Sequence, residues 1–167
     1  RQIMDHDGGP HTITQAELDR VTACFVPPAL NCDPKSADAK IANILRAAAE
    51  DDIEFGRWLK QNVRAHKNPN LRAVTLSFKR LGQAPGDATA DQLQTAADLA
   101  EAFSAGEVRV NHDQNLVLPW VRVDQLFALW KAASAAGLAK ANIHLLSDMI
   151  ACPGGDYCAL ANARSLP

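Results

Sequence analysis

Two cysteines set six positions apart close the run Cys152-Pro-Gly-Gly-Asp-Tyr-Cys158. Their thiolates are soft donors, suited to an iron–sulfur cluster or to zinc. The glycines between them let backbone pass close to a bound group and aim N–H groups at its sulfides. Two free, partly buried thiols, or a small disulfide loop, fit the same spacing. A four-coordinate site also needs two more ligands. Cys24 and Cys32 are the remaining thiols; they lie far upstream in a Pro-rich stretch and read as ordinary free cysteines.

Other chemistry is scarce. The chain has no G-x-G-x-x-G, P-loop, H-E-x-x-H or G-x-S-x-G pattern. His6 and His11 are terminal, His66 sits in a basic linker-like run, and His144 lies in an apolar segment. His112 falls at a hairpin end, where turns favour polar residues. None of these imidazoles has a partner at ligand spacing, and the three Trp residues read as packing.

The elements that must carry the cysteine pair follow from periodicity. Thr14 with Glu17 fits a capping box for a helix over 14–23, which Pro27-Pro28 ends. Helices are expected over 37–49 and 53–63, and the stretch His66-Lys67-Asn68-Pro69-Asn70 reads as a linker. From Ala73 to Lys79 the residues alternate, with Val74, Leu76 and Phe78 on one face and Thr75, Ser77 and Lys79 on the other, as in a half-buried strand. Thr89 and Gln92 cap a helix carrying Leu93, Ala96, Ala97, Ala100 and Phe103, which Gly106 closes. Strands over 107–111 and 115–121, a helix over 123–136 and a last extended segment over 143–150 complete the order.

From residue 71 that order is β-α-β-β-α-β, the ferredoxin-like arrangement, so the fold class is α+β. Residues 1–70 form a helical and loop region, 71–146 the ferredoxin-like half-domain, and 147–167 the start of a further domain that carries the cysteine pair. Both helices must cover one face of the sheet. Val108 and Val110 are expected on that face, which leaves Arg109 and Asn111 on the other, free to meet a ligand or another domain.

Composition agrees with a globular, water-soluble protein. Seventeen basic residues against 19 acidic ones, a net charge of −2, exclude the excess of Lys and Arg that a nucleic-acid surface needs. No run of 18 apolar residues suggests a membrane span, and no signal peptide opens the chain. Few cysteines and no secretion signal predict a reducing, cytoplasmic setting. Ala supplies 30 residues and aromatics 9, which points to close helix packing. An opening Arg1 and a helix expected to run to Pro167 predict a piece of a longer polypeptide.

Two runs taken together resemble a known family. Gly106-Glu-Val-Arg-Val-Asn-His-Asp-Gln-Asn-Leu-Val-Leu-Pro, followed by Cys152-Pro-Gly-Gly-Asp-Tyr-Cys158-Ala-Leu-Ala-Asn-Ala, is similar to the siroheme-dependent sulfite and nitrite reductases. The helical stretch around Trp58 and the run Lys79-Arg80-x-Gly-x-x-Pro-Gly-Asp extend the likeness, which covers roughly residues 50 to 167. The resemblance implies that Cys152 and Cys158 are the first two ligands of a 4Fe–4S cluster. It implies that Arg109, Asn111, Gln114 and Asn115 lie at or near siroheme carboxylates, where arginine can make bidentate charge-assisted bonds.

The activity implied is six-electron reduction of sulfite to sulfide or of nitrite to ammonia, with electrons from ferredoxin or an NADPH flavoprotein. The family's second pair, C-x3-C, does not follow Cys158, and the basic residues that clamp the substrate anion belong largely to the other half of such enzymes. The chain is therefore expected to work with the remainder of a reductase and to hold neither cofactor alone; its catalytic residues are not identified. A related cobalamin-pathway oxygenase (precorrin-3B synthase-like) and a non-catalytic ferredoxin-like protein-binding module are the competing readings.

Overall fold

Asp52, Thr89 and Thr14 each open a helix by offering a side-chain oxygen to backbone N–H groups that have no partner within the helix. In a computed structural model of the protein, residues 13–30 and 39–165 are described, apart from the side chain of Lys40. The expected helix start at Ala37, Cys32, His6 and His11 lie outside them. The chain divides into two units, Arg1–Asn31 and Cys32–Pro167. The described part of the first is α1 (Gln15–Thr22), capped by Thr14; Glu17 pairs with Arg20 instead of completing the capping box.

The second unit begins with α2 (Ala39–Asp51) and α3 (Ile53–Asn62). A four-stranded antiparallel sheet follows, with strand order β1-β2-β4-β3: β1 (Val63–Ala65), β2 (Leu71–Leu76), β3 (Arg109–Val110) and β4 (Leu116–Arg122). Between β2 and β3 runs α4 (Ala90–Phe103), whose capping box of Thr89 and Gln92 is complete in both directions. After β4 a short turn over Val123–Gln125 leads into α5 (Leu126–Ala135). The architecture is the expected α+β, ferredoxin-like one.

The core lies between this sheet and the helices. Val74, Leu76, Leu118 and Val121 from the strands meet Leu99, Leu126 and Leu129 from α4 and α5, and all are buried. Ala96, Ala100 and Ala133 are buried with them, as the alanine-rich composition requires. Phe55 and Trp58 of α3 are fully buried; the Phe55 ring meets Phe127 at 4.9 Å and Trp130 at 5.3 Å.

Three expectations need correction. First, residues 143–150 do not form a strand. They fold into turns, with the Leu145 and Asp148 amides donating to Asn142 and Leu145 carbonyls and a 3-10 turn over Leu146–Asp148. The sheet edge a last strand would use is already taken: β1 pairs with β2 from Val63↔Val74 to Ala65↔Arg72, and beyond it Ser77 donates to the Leu138 carbonyl. The run 66–70, read as a linker, is thus the turn of a β-hairpin.

Second, Val108 and Val110 are not buried under the helices; Val110 is 81% exposed. Register does put Val110 opposite Leu116 on the core side and Arg109 opposite Val117 on the other. However, β3 is a two-residue edge strand, and the helices pack on β2 and β4 instead. Third, no helix runs towards the C-terminus as far as residue 165. The segment after Cys158 folds back, so that the Ala163 carbonyl accepts from Gly155 N–H.

Candidate functional site

The β3–β4 hairpin, the end of β2 and the 142–158 segment converge on the sheet face that the helices leave open. At the hairpin turn, the Asn111 amide oxygen accepts from Asn115 N–H at 2.9 Å, and Asn111 N–H donates to the Asn115 carbonyl at 3.0 Å. Asn111 therefore shapes the turn with its own side chain. Asn115 is buried: its oxygen accepts from Phe78 N–H at 3.0 Å and its NH2 donates to Asp148 Oδ1 at 2.8 Å.

Asp148 is the hub of this corner. It accepts from Asn115, from His144 N–H at 2.8 Å and from Lys79, whose Nζ lies 3.5 Å from Oδ1 and 3.1 Å from the Asp148 carbonyl. Lys79 Nζ also donates to the Asp113 carbonyl at 2.6 Å. Both charged side chains are 3% exposed. Thr75, Ser77 and Lys79, expected on the uncovered face, are instead buried, and the 142–158 segment meets Lys79 there through Asp148.

Further along the open face Arg109 is 58% exposed. Its Nε donates to Glu107 at 2.6 Å and its guanidinium lies 5.8 Å from the centre of the Trp120 ring. The Trp120 indole N–H also donates to Glu107. That bond, more than Arg109, holds the Glu107 carboxyl below the usual range. Trp120 reaches this face because β4 carries one extra residue around Pro119: Arg72 pairs with Val121 but Val74 with Leu118. Pro119, with no N–H to give the ladder, sits within that bulge. His66 packs against Trp120 with ring centres 5.2 Å apart.

The cysteine pair is anchored to the hairpin by Gln114. Its side-chain NH2 donates to the Ala151 carbonyl at 2.7 Å and its oxygen accepts from Ala151 N–H at 3.2 Å. Gln114 adopts φ +57, and Gly86 lies so close that a Cβ there would stand 2.6 Å from the Gln114 Cβ. Cys152 follows Ala151 directly and is exposed; Cys158 is half-buried; both thiols are free.

Between them Gly154 has φ +69, and a Cβ there would stand 2.5 Å from the Ser165 nitrogen. The loop is closed by Cys158 N–H donating to the Gly154 carbonyl at 2.9 Å and by an Arg164–Asp156 ion pair. A cleft of about 740 Å³ runs between the 84–87 loop, Gln114 and the cysteine loop, with Tyr157 and Arg164 on its far wall.

The structure thus gathers Asn111, Gln114 and Asn115 at one hairpin and ties Cys152 and Cys158 to it, with Arg109 on the adjoining strand. Cys24 belongs to the other unit and is exposed. Among the described residues no three His, Cys, Asp or Glu side chains are grouped to hold a metal ion. Asp148, Glu107 and Trp120 were missed by sequence reasoning. The bonds Trp120–Glu107, Asn115–Asp148 and Lys79–Asp148 span 13, 33 and 69 positions, and only Pro119 in a strand hinted at the bulge that turns Trp120.

Residues 74–136 match the family described as nitrite/sulfite reductase ferredoxin-like half domain. The chain is 26% identical over 121 residues to a chloroplastic ferredoxin–nitrite reductase of Oryza sativa subsp. japonica, covering 71% of this chain and 20% of that protein. It is 29% identical over 123 residues to the chloroplastic ferredoxin–nitrite reductase of Zea mays, covering 71% and 21%. The chain spans about a fifth of the length of the curated relatives it matches. Among the described residues, no helix is long and apolar enough to cross a membrane.

Proposed function

We propose that this chain, whose residues 74–136 match the nitrite/sulfite reductase ferredoxin-like half domain, serves in a siroheme- and 4Fe–4S-dependent reductase as the segment that presents the first cysteine pair and one wall of the siroheme site. The observation that carries this reading is the fixing of the Cys152–Cys158 loop to the half domain's own hairpin through Gln114 and Ala151. Two free soft thiols on one closed loop suit half of a four-thiolate set. The other half has to come from elsewhere in the protein.

When bound, the two cofactors would supply the electrons and the iron that holds the substrate anion. The chain's own residues supply the setting. Arg109 can turn from Glu107 towards a cofactor carboxylate, because it is half exposed and held only at the surface. Asn111, Gln114 and Asn115 act through the shape of the hairpin beside it. Exposed Leu146, Met149, Ile150, Tyr157 and Leu160 in the segment around the cysteines offer an apolar surface to the remainder of the reductase chain.

The names of the relatives favour nitrite as substrate and ferredoxin as electron donor; sulfite, with ferredoxin or an NADPH flavoprotein, is the competing assignment. Free thiols suit a reducing compartment such as the cytoplasm or the plastid interior.

The full gene product, purified without oxygen, tests the reading. Iron, acid-labile sulfide and siroheme absorbance are expected together, and Cys152→Ser or Cys158→Ser should remove the iron and sulfide. The 167-residue chain alone should retain no four-iron cluster after anaerobic reconstitution and desalting. Unchanged iron and sulfide in both serine variants would refute the proposal. Turnover of nitrite against sulfite with reduced ferredoxin decides the substrate.

A further inference from the structure

We infer that Gln114 is a positioning residue: its neutral amide sets where the cysteine loop stands, by gripping Ala151 one residue before Cys152. The inference rests on the cysteine-pair reading above and adds how that pair is held. A side-chain amide of this length can, at any pH, both donate to a backbone carbonyl and accept from the N–H of the same residue. The surroundings are shaped for it. Gln114 is in the left-handed region at φ +57, and Gly86 leaves room that any Cβ would fill. The neighbouring turn is pinned from below, where Lys79 Nζ holds the Asp113 carbonyl and Asn115 is locked to Asp148.

Two consequences follow from the pairing. A glutamate at this position would make both bonds only while protonated; as a carboxylate it still accepts from Ala151 N–H but loses the donation and faces the Ala151 carbonyl. An alanine would not grip at any pH.

The test uses the cofactor-free 167-residue chain and reads the exchange rate of the Ala151 amide by NMR, corrected for intrinsic exchange. Gln114→Ala should raise that rate about tenfold or more through the loss of two hydrogen bonds, with amides in α5 unchanged. Gln114→Glu should match the native chain at pH 4 to 5 and lie between the native chain and Gln114→Ala at pH 8, whereas the native chain shows no such transition. Cd2+ titration at neutral pH reads the consequence for the thiols: the thiolate absorption of the native chain should weaken in Gln114→Ala and vanish in Cys152→Ser.

Native-like Ala151 exchange in Gln114→Ala, or no pH transition in Gln114→Glu, would overturn the positioning role. No Cd2+ thiolate signal in the native chain would overturn the cysteine-pair reading instead, with the exchange data still deciding the role of Gln114.

Discussion

Lys79 and Asp148 form an ion pair with both side chains 3% exposed, joining the end of β2 to the turn before the cysteine loop. Neither charge depends on the other alone. Lys79 also donates to two backbone carbonyls, and Asp148 accepts from Asn115 and from the His144 N–H. Lys79→Met should therefore destabilise the chain by about 3 kcal/mol, the cost of leaving a buried carboxylate without its counter-charge. Adding Asp148→Asn should recover part of that loss. Urea unfolding of the two single variants and the double variant checks it; additive losses would mean that the pair is not coupled.

Glu107 should titrate below an ordinary glutamate, chiefly because the Trp120 indole N–H donates to it and secondarily because Arg109 does. A depressed folded-state pKa means that the bond is intact above the unfolded glutamate range and is lost as pH falls through the lower folded value. The carboxyl resonance of Glu107, followed by NMR, should show this midpoint. Trp120→Phe should move it upward more than Arg109→Ala does. The reverse order would assign the shift to Arg109.

Arg109→Ala should leave thermal stability nearly unchanged, by about 0–1 kcal/mol, since its partners are Glu107 and the Trp120 ring at a half-exposed surface. In the full gene product the same change should lower siroheme content per protein. Full siroheme occupancy with a strongly reduced melting temperature would make Arg109 a structural residue.

Gly154→Ala should open the cysteine loop. Its φ of +69 costs an alanine about 1 kcal/mol, and the added Cβ would press on the Ser165 nitrogen. Alkylation of the half-buried Cys158 by iodoacetamide should speed up, while alkylation of Cys24 in the other unit stays constant. Equal rates for Cys158 before and after the change would show that Gly154 does not close the loop.

The alternation Val74–Leu76–Phe78, the Thr89–Gln92 capping box and the helix expected over 123–136 were legible because each is a local pattern read out within one element. The site was legible as residue types. Asn111, Gln114 and Cys152 stood out, but their pairing did not, since Gln114 meets Ala151 across 37 positions. Two local signals also misled. The apolar run around Ile143 has strand composition, yet no free sheet edge remained for it. Val63-Arg-Ala has little strand character over three residues and became a strand because the turn at 66–70 returned the chain beside it. Val110 followed its register but not its hydrophobicity, because a two-residue edge strand lies beyond the reach of the helices.

The outer strand β1 comes from the chain just before β2 and is joined to it by a turn of a few residues. A ferredoxin-like unit of the expected order would fill that edge from the far side of α5, closing a loop of some 70 residues at a larger entropic cost. Here the edge zips up locally, which lowers contact order at the sheet's rim and favours rapid folding. The stretch after α5 is thereby released from sheet building. During synthesis the half domain can reach its native topology while Cys152 and Cys158 are still emerging, and these two thiols then arrive at a finished scaffold.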